Sequence, residues 1–182
     1  TIGDLGFLRR QGWDEDLRAH RARGGHIVGL CGGYQMLGRY VEDPEGYEGA
    51  ADRVEGLGLL DVETVMQPQK ALREVEAYSP RHDAPLSGYE IHIGRTQGVD
   101  CLRPVVMIGD RGDGAMSEDG KVAGTYLHGL FGSDPFRVRF LKDFGVESGG
   151  TGHRAQVENA LDDIAKQLEE HLDCDALLAA AR

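Results

Sequence analysis

The stretch HIVGLCGGYQMLGR, His26 to Arg39, decides how this chain folds. Ile27, Val28, Gly29 and Leu30 make a short apolar run suited to a buried strand, Cys31-Gly32-Gly33 reads as a sharp turn, and Tyr34 to Tyr40 opens a helix. A cysteine at such a corner sits above the carboxyl end of the strand. The first free N–H groups of the helix lie beside it, and their partial positive charge favours thiolate over thiol. Gly29, Gly32 and Gly33 suit a backbone that bends tightly and admits a substrate. This is the pattern of a nucleophile elbow with sulfur in place of oxygen. An isolated cysteine at a turn is more often a small buried residue, but the flanking G-x-C-x-G-x-Q, Gly29 to Gln35, points to a catalytic nucleophile.

Upstream, Asp4 is placed to cap a short helix to Gln11, and a second helix runs from Asp14 to Arg23, acidic at its start and basic at its end. The order helix, strand, helix predicts an α/β fold with a mainly parallel sheet flanked by helices. Downstream, residues 43–58 are broken by Pro44, Gly46, Gly49, Gly56 and Gly58 and read as loop. Strands are expected over Leu59 to Met66, Leu72 to Tyr78, Tyr89 to Arg95, Val105 to Ile108 and Val122 to Leu127, with a loop from Ser79 to Ser87. Asp134 and Pro135 start a helix to Phe144, and a glycine-rich connection, Gly145 to Gly152, leads to a last helix from Arg154 to Leu172. Its Val157, Leu161, Ile164, Leu168 and Leu172 should pack as one stripe on the domain.

With 182 residues the chain suits one domain, and its 40% hydrophobic and 28% charged residues are those of an ordinary globular protein. A net charge of -11 argues against nucleic acid as partner. No apolar run has the roughly 20 residues needed to cross a bilayer, and no signal-peptide pattern opens the chain, so the cytoplasm is the expected location. The cysteines, at 31, 101 and 174, are too widely spaced for a disulfide framework or a zinc site, and no metal is expected. Only ~25 residues precede the elbow strand, fewer than a fold built around it needs, which predicts an N-terminally truncated domain.

A thiolate nucleophile needs a base to take its proton and return it to the leaving group, and histidine is the usual partner. Of seven histidines, those at 20, 82, 153 and 171 read as solvated, and His26 lies at the far end of the elbow strand. His92 sits mid-strand beside Glu90. His128 ends a strand between Leu127 and Gly129, where α/β sites recruit their residues, and is favoured as the base, with His92 as a substrate-orienting or structural group.

Four blocks together, GLCGGYQMLG around Cys31, VEGLGLL at 54–60, GYEIHIGRT at 88–96 and GTYLHGLF at 124–131, resemble the C-terminal class I glutamine amidotransferase domain of the cobyric acid synthase family, over nearly the whole chain and in the family's order. The resemblance implies a class I glutamine amidotransferase-like α/β fold. It implies release of ammonia from glutamine through a cysteinyl thioester, with Cys31 as nucleophile, His128 as acid and base, and Gln35 helping to hold the substrate; Gly32, Gly33 and His92 complete the expected substrate-binding set. The Gly32 N–H would be one oxyanion donor. The ammonia would pass to a synthetase domain of the same longer chain, absent here, which uses ATP and magnesium to amidate a corrinoid acceptor, adenosylcobyrinic acid a,c-diamide. No cofactor is implied in this chain itself. In the commoner triad enzymes a glutamate follows the histidine by two positions; here Leu130 stands there, leaving the third member undefined. A P-G-S-type loop that supplies the second oxyanion donor would also lie before Thr1. The alternatives are a glutaminase for another acceptor, such as cobyrinic acid a,c-diamide or a cell-wall precursor, and a non-catalytic glutaminase-like docking domain.

Overall fold

A computed structural model describes residues 1–49, 52–68, 71–147 and 152–181. In chain order the elements are α1 (Ile2–Arg10), α2 (Trp13–Ala22), β1 (Ile27–Leu30), α3 (Gly32–Leu37), β2 (Tyr40–Asp43), β3 (Asp52–Glu55) and β4 (Glu63–Val65). There follow β5 (Ala71–Ser79), β6 (Ala84–His92), β7 (Arg95–Gln97), β8 (Val106–Ile108), β9 (Arg111–Asp113) and β10 (Ala115–Met116). The chain closes with β11 (Val122–Thr125), β12 (Leu127–His128), α4 (Asp134–Lys142), α5 (His153–His171) and α6 (Cys174–Ala180).

The strands form three sheets, in the orders β1-β11-β10, β12-β6-β5-β8-β9 and β3-β2-β4-β7. The expected mainly parallel sheet is not what these residues build: β1 with β11 and β2 with β4 pair in parallel, and the other described pairs are antiparallel. Parallel pairs need long crossovers, whereas much of this chain turns back over a few residues. Ser79 to Ser87, expected as loop, is such a hairpin: β5 and β6 pair from Ala71↔His92 to Ser79↔Ala84, with Asp83 at φ 46° in the turn. Pro85 is tolerated because β12 pairs only with Tyr89 and Glu90, leaving that edge open. Within the expected loop 43–58, β3 pairs with β2.

Leu59 to Met66 is a strand only over β4, because the preceding block is occupied elsewhere. The N–H groups of Leu57, Leu59 and Leu60 donate to Met36 O, Leu37 O and Leu37 O at 2.8, 2.9 and 3.0 Å, and that of Gly58 to Gly38 O at 2.9 Å. The 54–60 block therefore satisfies the carbonyls left free at the end of α3. Two further expected strands are split. Tyr89 to Arg95 breaks at Gly94, whose φ of 103° few side chains tolerate, so that β6 and β7 join different sheets. Val122 to Leu127 breaks at Tyr126: β11 runs beside β1, and β12 beside β6.

That break lies between two cores. Tyr126 packs with Leu5, Tyr34, Leu37 and Val122, and Leu127 packs with Leu86, Val106, Leu130 and Phe136. The last helices depart most from expectation. The α5 stripe does not pack on the domain: Leu161 is 53% and Ile164 56% exposed, and α6, with Leu177 and Leu178 exposed, was not anticipated. Periodicity marks a face that can be buried without naming what buries it. The Gly145 to Gly152 connection lies outside the described residues at 148–151. No helix among the described residues is long and apolar enough to cross a membrane.

Gly124 holds α3 against β11. A Cβ there would meet Cδ2 of the buried Tyr34 ring at 2.2 Å and its Cβ at 3.0 Å. Gly124→Ala is expected to lower stability by about 1–3 kcal/mol through overpacking, measured as a fall in the urea midpoint at unchanged m-value.

Candidate active site

Cys31 alone spans the corner between β1 and α3. Its backbone lies at φ 53° and ψ -117°, outside the regions favoured by residues with a Cβ. Neighbouring strands hold it there: its N–H donates to Thr125 O at 3.0 Å and its Sγ, half-buried and free, donates to Ile91 O at 3.3 Å. Gly29 lets α3 fold back so closely, since a Cβ at that position would lie 2.7 Å from the Gly33 carbonyl. Gly32 and Gly33, both half-buried, open α3, where N–H groups have no intrahelical acceptor.

Gln35, one turn on, is 3% exposed. Its Oε1 accepts from Thr1 Oγ1 at 2.7 Å, and its Nε2 donates to Ile93 O at 2.9 Å and Tyr126 Oη at 3.1 Å. The amide thus ties the cysteine corner to the link between β6 and β7. His92 ends β6; Nδ1 lies 3.1 Å from Gly94 O, and the ring stacks on Tyr126 at 3.8 Å and 16°. It forms part of the wall of a cleft of about 620 Å³ with Arg95, Thr96, Arg111 and Tyr126.

His128 stands on β12 on the Tyr89 face of β6, outside the lining of that cleft. Leu30 and Thr125 are partners across β1 and β11, so Cys31 lies one residue and His128 three residues beyond that pair. No hydrogen bond joins Cys31 to His128 among the described residues. Nε2 of His128 is buried without a hydrogen-bond partner, and its ring lies parallel to that of Tyr89, at 5.1 Å and 10°. Leu130 turns into the second core. Glu90, next to Tyr89 and 1% exposed, is held by Arg73 Nε and Arg111 Nη2, each at 2.6 Å. Burial alone would raise its carboxyl, but the bonds from Arg111 and Arg73, with their charges, outweigh it and hold the carboxyl below the usual glutamate range.

Two residues at the centre of this arrangement were not singled out from sequence. Tyr126 joins Gln35, Thr96 and His92, the Thr96 hydroxyl lying 2.5 Å away. Asp113 accepts from Tyr126 N at 3.0 Å and from Thr125 Oγ1, and so makes the turn between β11 and β12. Tyr126 stood inside the GTYLHGLF block; Asp113 carried only the signal of a turn dipeptide with Gly114. Burial pushes the hydroxyls of Tyr34 and Tyr126 and the thiol of Cys101 up from their ordinary values.

The model of the CobB/CobQ-like glutamine amidotransferase domain matches residues 1–136, and the chain belongs to that family. Among its curated relatives, a protein named cobyric acid synthase from Mesorhizobium japonicum is 59% identical over all of this chain and 37% of its own length. Proteins of the same name from Brucella canis and Rhodobacter capsulatus are each 58% identical over all of this chain and 38% of theirs. The chain thus spans a little over a third of the length of these relatives.

Glu90 links the site to stability. Its lowered pKa means that its contribution is complete above the ordinary glutamate value of about 4.3 and is lost as pH falls through the folded-state value. Glu90→Gln is expected to cost about 1–3 kcal/mol at pH 7, and urea titrations at pH 7 and pH 3 should show the gap from the parent protein closing in acid.

Proposed function

We propose that this chain is the glutaminase domain of a cobyric acid synthase, hydrolysing glutamine at Cys31. The observation that carries the reading is the backbone of Cys31, a cysteine at positive φ between a strand and a helix, as a nucleophile elbow requires. Such a corner presents the thiol at the end of the strand beside unpaired N–H groups, which stabilise thiolate. The membership of the family supports the substrate.

In this reading the Cys31 thiolate attacks the carboxamide carbon of glutamine, and the negative charge that develops on its oxygen is met by the Gly32 N–H. The His128 imidazolium gives its proton to the departing amine. Ammonia leaves, a glutamyl thioester remains, and water, deprotonated by His128, releases glutamate and restores the thiolate. Gly32, Gly33, Gln35 and His92 form the glutamine-binding set, Gln35 by fixing the Ile93 carbonyl and the Tyr126 hydroxyl rather than through a free amide. Residues 1–182 act as one domain. The rest of the longer chain would bind ATP with magnesium and the corrinoid carboxylates that receive the ammonia; the relatives' length and name support this. The three free thiols suit the reducing cytoplasm.

A glutamine analogue carrying a diazo ketone is expected to alkylate Cys31 ahead of Cys101, whose thiol burial holds protonated, and Cys174. Peptide mass spectrometry reads the order, and equal labelling of the three overturns the assignment. His128→Ala is expected to lower glutamine hydrolysis by about 10²- to 10⁴-fold and His92→Ala by much less; equal loss from both would remove the distinction between base and orienting group.

A further inference from the structure

A general base works only when its ring is aimed, and the usual means is a carboxylate bonded to the second ring nitrogen. Among the described residues no carboxylate is bonded to the His128 ring. Leu130, two residues on, is 2% exposed in the second core and has no polar side-chain atom to offer. Glu90 has both carboxylate oxygens engaged by Arg73 and Arg111. It also pairs across the ladder with Leu127, whereas His128 pairs with Tyr89, and neighbouring residues of a strand point to opposite faces. Glu90 therefore lies on the other face of β6 from the imidazole.

On the His128 face the ring meets Tyr89. The two residues are direct partners between β12 and β6, and their rings lie 5.1 Å apart at 10°, an offset parallel stack. The backbone beneath is fitted to the same contact. A Cβ at Gly88 would fall 2.1 Å from the His128 carbonyl oxygen, so only glycine lets β12 come this close. On the other side Gly129, at φ 78°, turns the chain away immediately after the histidine, and a Cβ there would lie 3.8 Å from the Tyr89 ring.

We propose that Gly88 and Tyr89 are the positioning residues for the catalytic histidine: glycine admits the His128 backbone, and the tyrosine ring fixes the imidazole plane that a carboxylate would otherwise set. The inference rests on His128 being the base. Tyr89 is 42% exposed, so replacing it leaves the core intact. The stack requires a flat ring and not the phenol oxygen, so Tyr89→Phe and Tyr89→Leu separate the two.

The test has a spectroscopic and a kinetic arm, both on the full chain. In NMR spectra, the His128 ring protons of the parent and of Tyr89→Phe are expected to share a ring-current shift that Tyr89→Leu loses; shifts unchanged by Tyr89→Leu overturn the stack. In glutamine hydrolysis, Tyr89→Leu is expected to lower kcat about 10- to 100-fold, the scale of a misplaced catalytic group, with KM changed less than about threefold and activity restored by Tyr89→Phe. Unchanged kcat in Tyr89→Leu, beside an inactive His128→Ala, overturns the positioning role while leaving the base assignment standing. Activity retained by His128→Ala would instead remove the base. If the parent hydrolyses no glutamine, the spectroscopic arm decides alone.

Discussion

The buried carboxylate of Asp113 sets the path on which the rest of this structure depends. It accepts the Tyr126 N–H and the Thr125 hydroxyl, and that hydroxyl oxygen in turn accepts the Leu127 N–H at 3.1 Å. These three bonds take the place of ladder bonds at one point in an otherwise continuous apolar strand. The chain therefore leaves the sheet of β1 and enters that of β6. Everything at the candidate site hangs on that transfer, because it sends Tyr126 inward beneath Gln35 and His92 and delivers His128 to Tyr89.

The sequence blocks acquire separate physical tasks in this frame. The leucines and glycines of 54–60 close the end of α3 with four backbone bonds, meeting the carbonyls of Met36, Leu37 and Gly38. Residues 88–96 supply the floor: a glycine that admits β12, a tyrosine against His128, carbonyls of Ile91 and Ile93 for Cys31 and Gln35, and Gly94 to break the strand. Residues 124–131 carry the crossing and the histidine. Glycine recurs in these blocks because backbone passes against backbone or ring, as at Gly29 and Gly124, where any side chain would collide.

Glu90 is the buried carboxylate with two arginine partners, and both arginines keep about half of their side-chain surface in water. The pair therefore ties β5 and β9 to β6 with one desolvated ion rather than three, which limits the cost of burying it. The same arrangement removes Glu90 from acid–base chemistry, although it neighbours the site in sequence.

The sequence by itself determined the cysteine corner, the two helices before it and the approximate places of several strands. These follow from local chemistry: turn glycines, apolar alternation and capping act over a few residues and need no partner. Only the tertiary structure decided that the sheets are mixed, that the strands break at Gly94 and Tyr126, that the Gln35 amide is already bonded on both sides, and that the α5 stripe faces outward. Each of these depends on a group far away in the chain, Asp113 for the crossing, Ile93 for the amide, Tyr89 for the imidazole. Residue type and spacing carry the strength of a side chain's preference but not the identity of the distant group that meets it, because that is set by how strands pair.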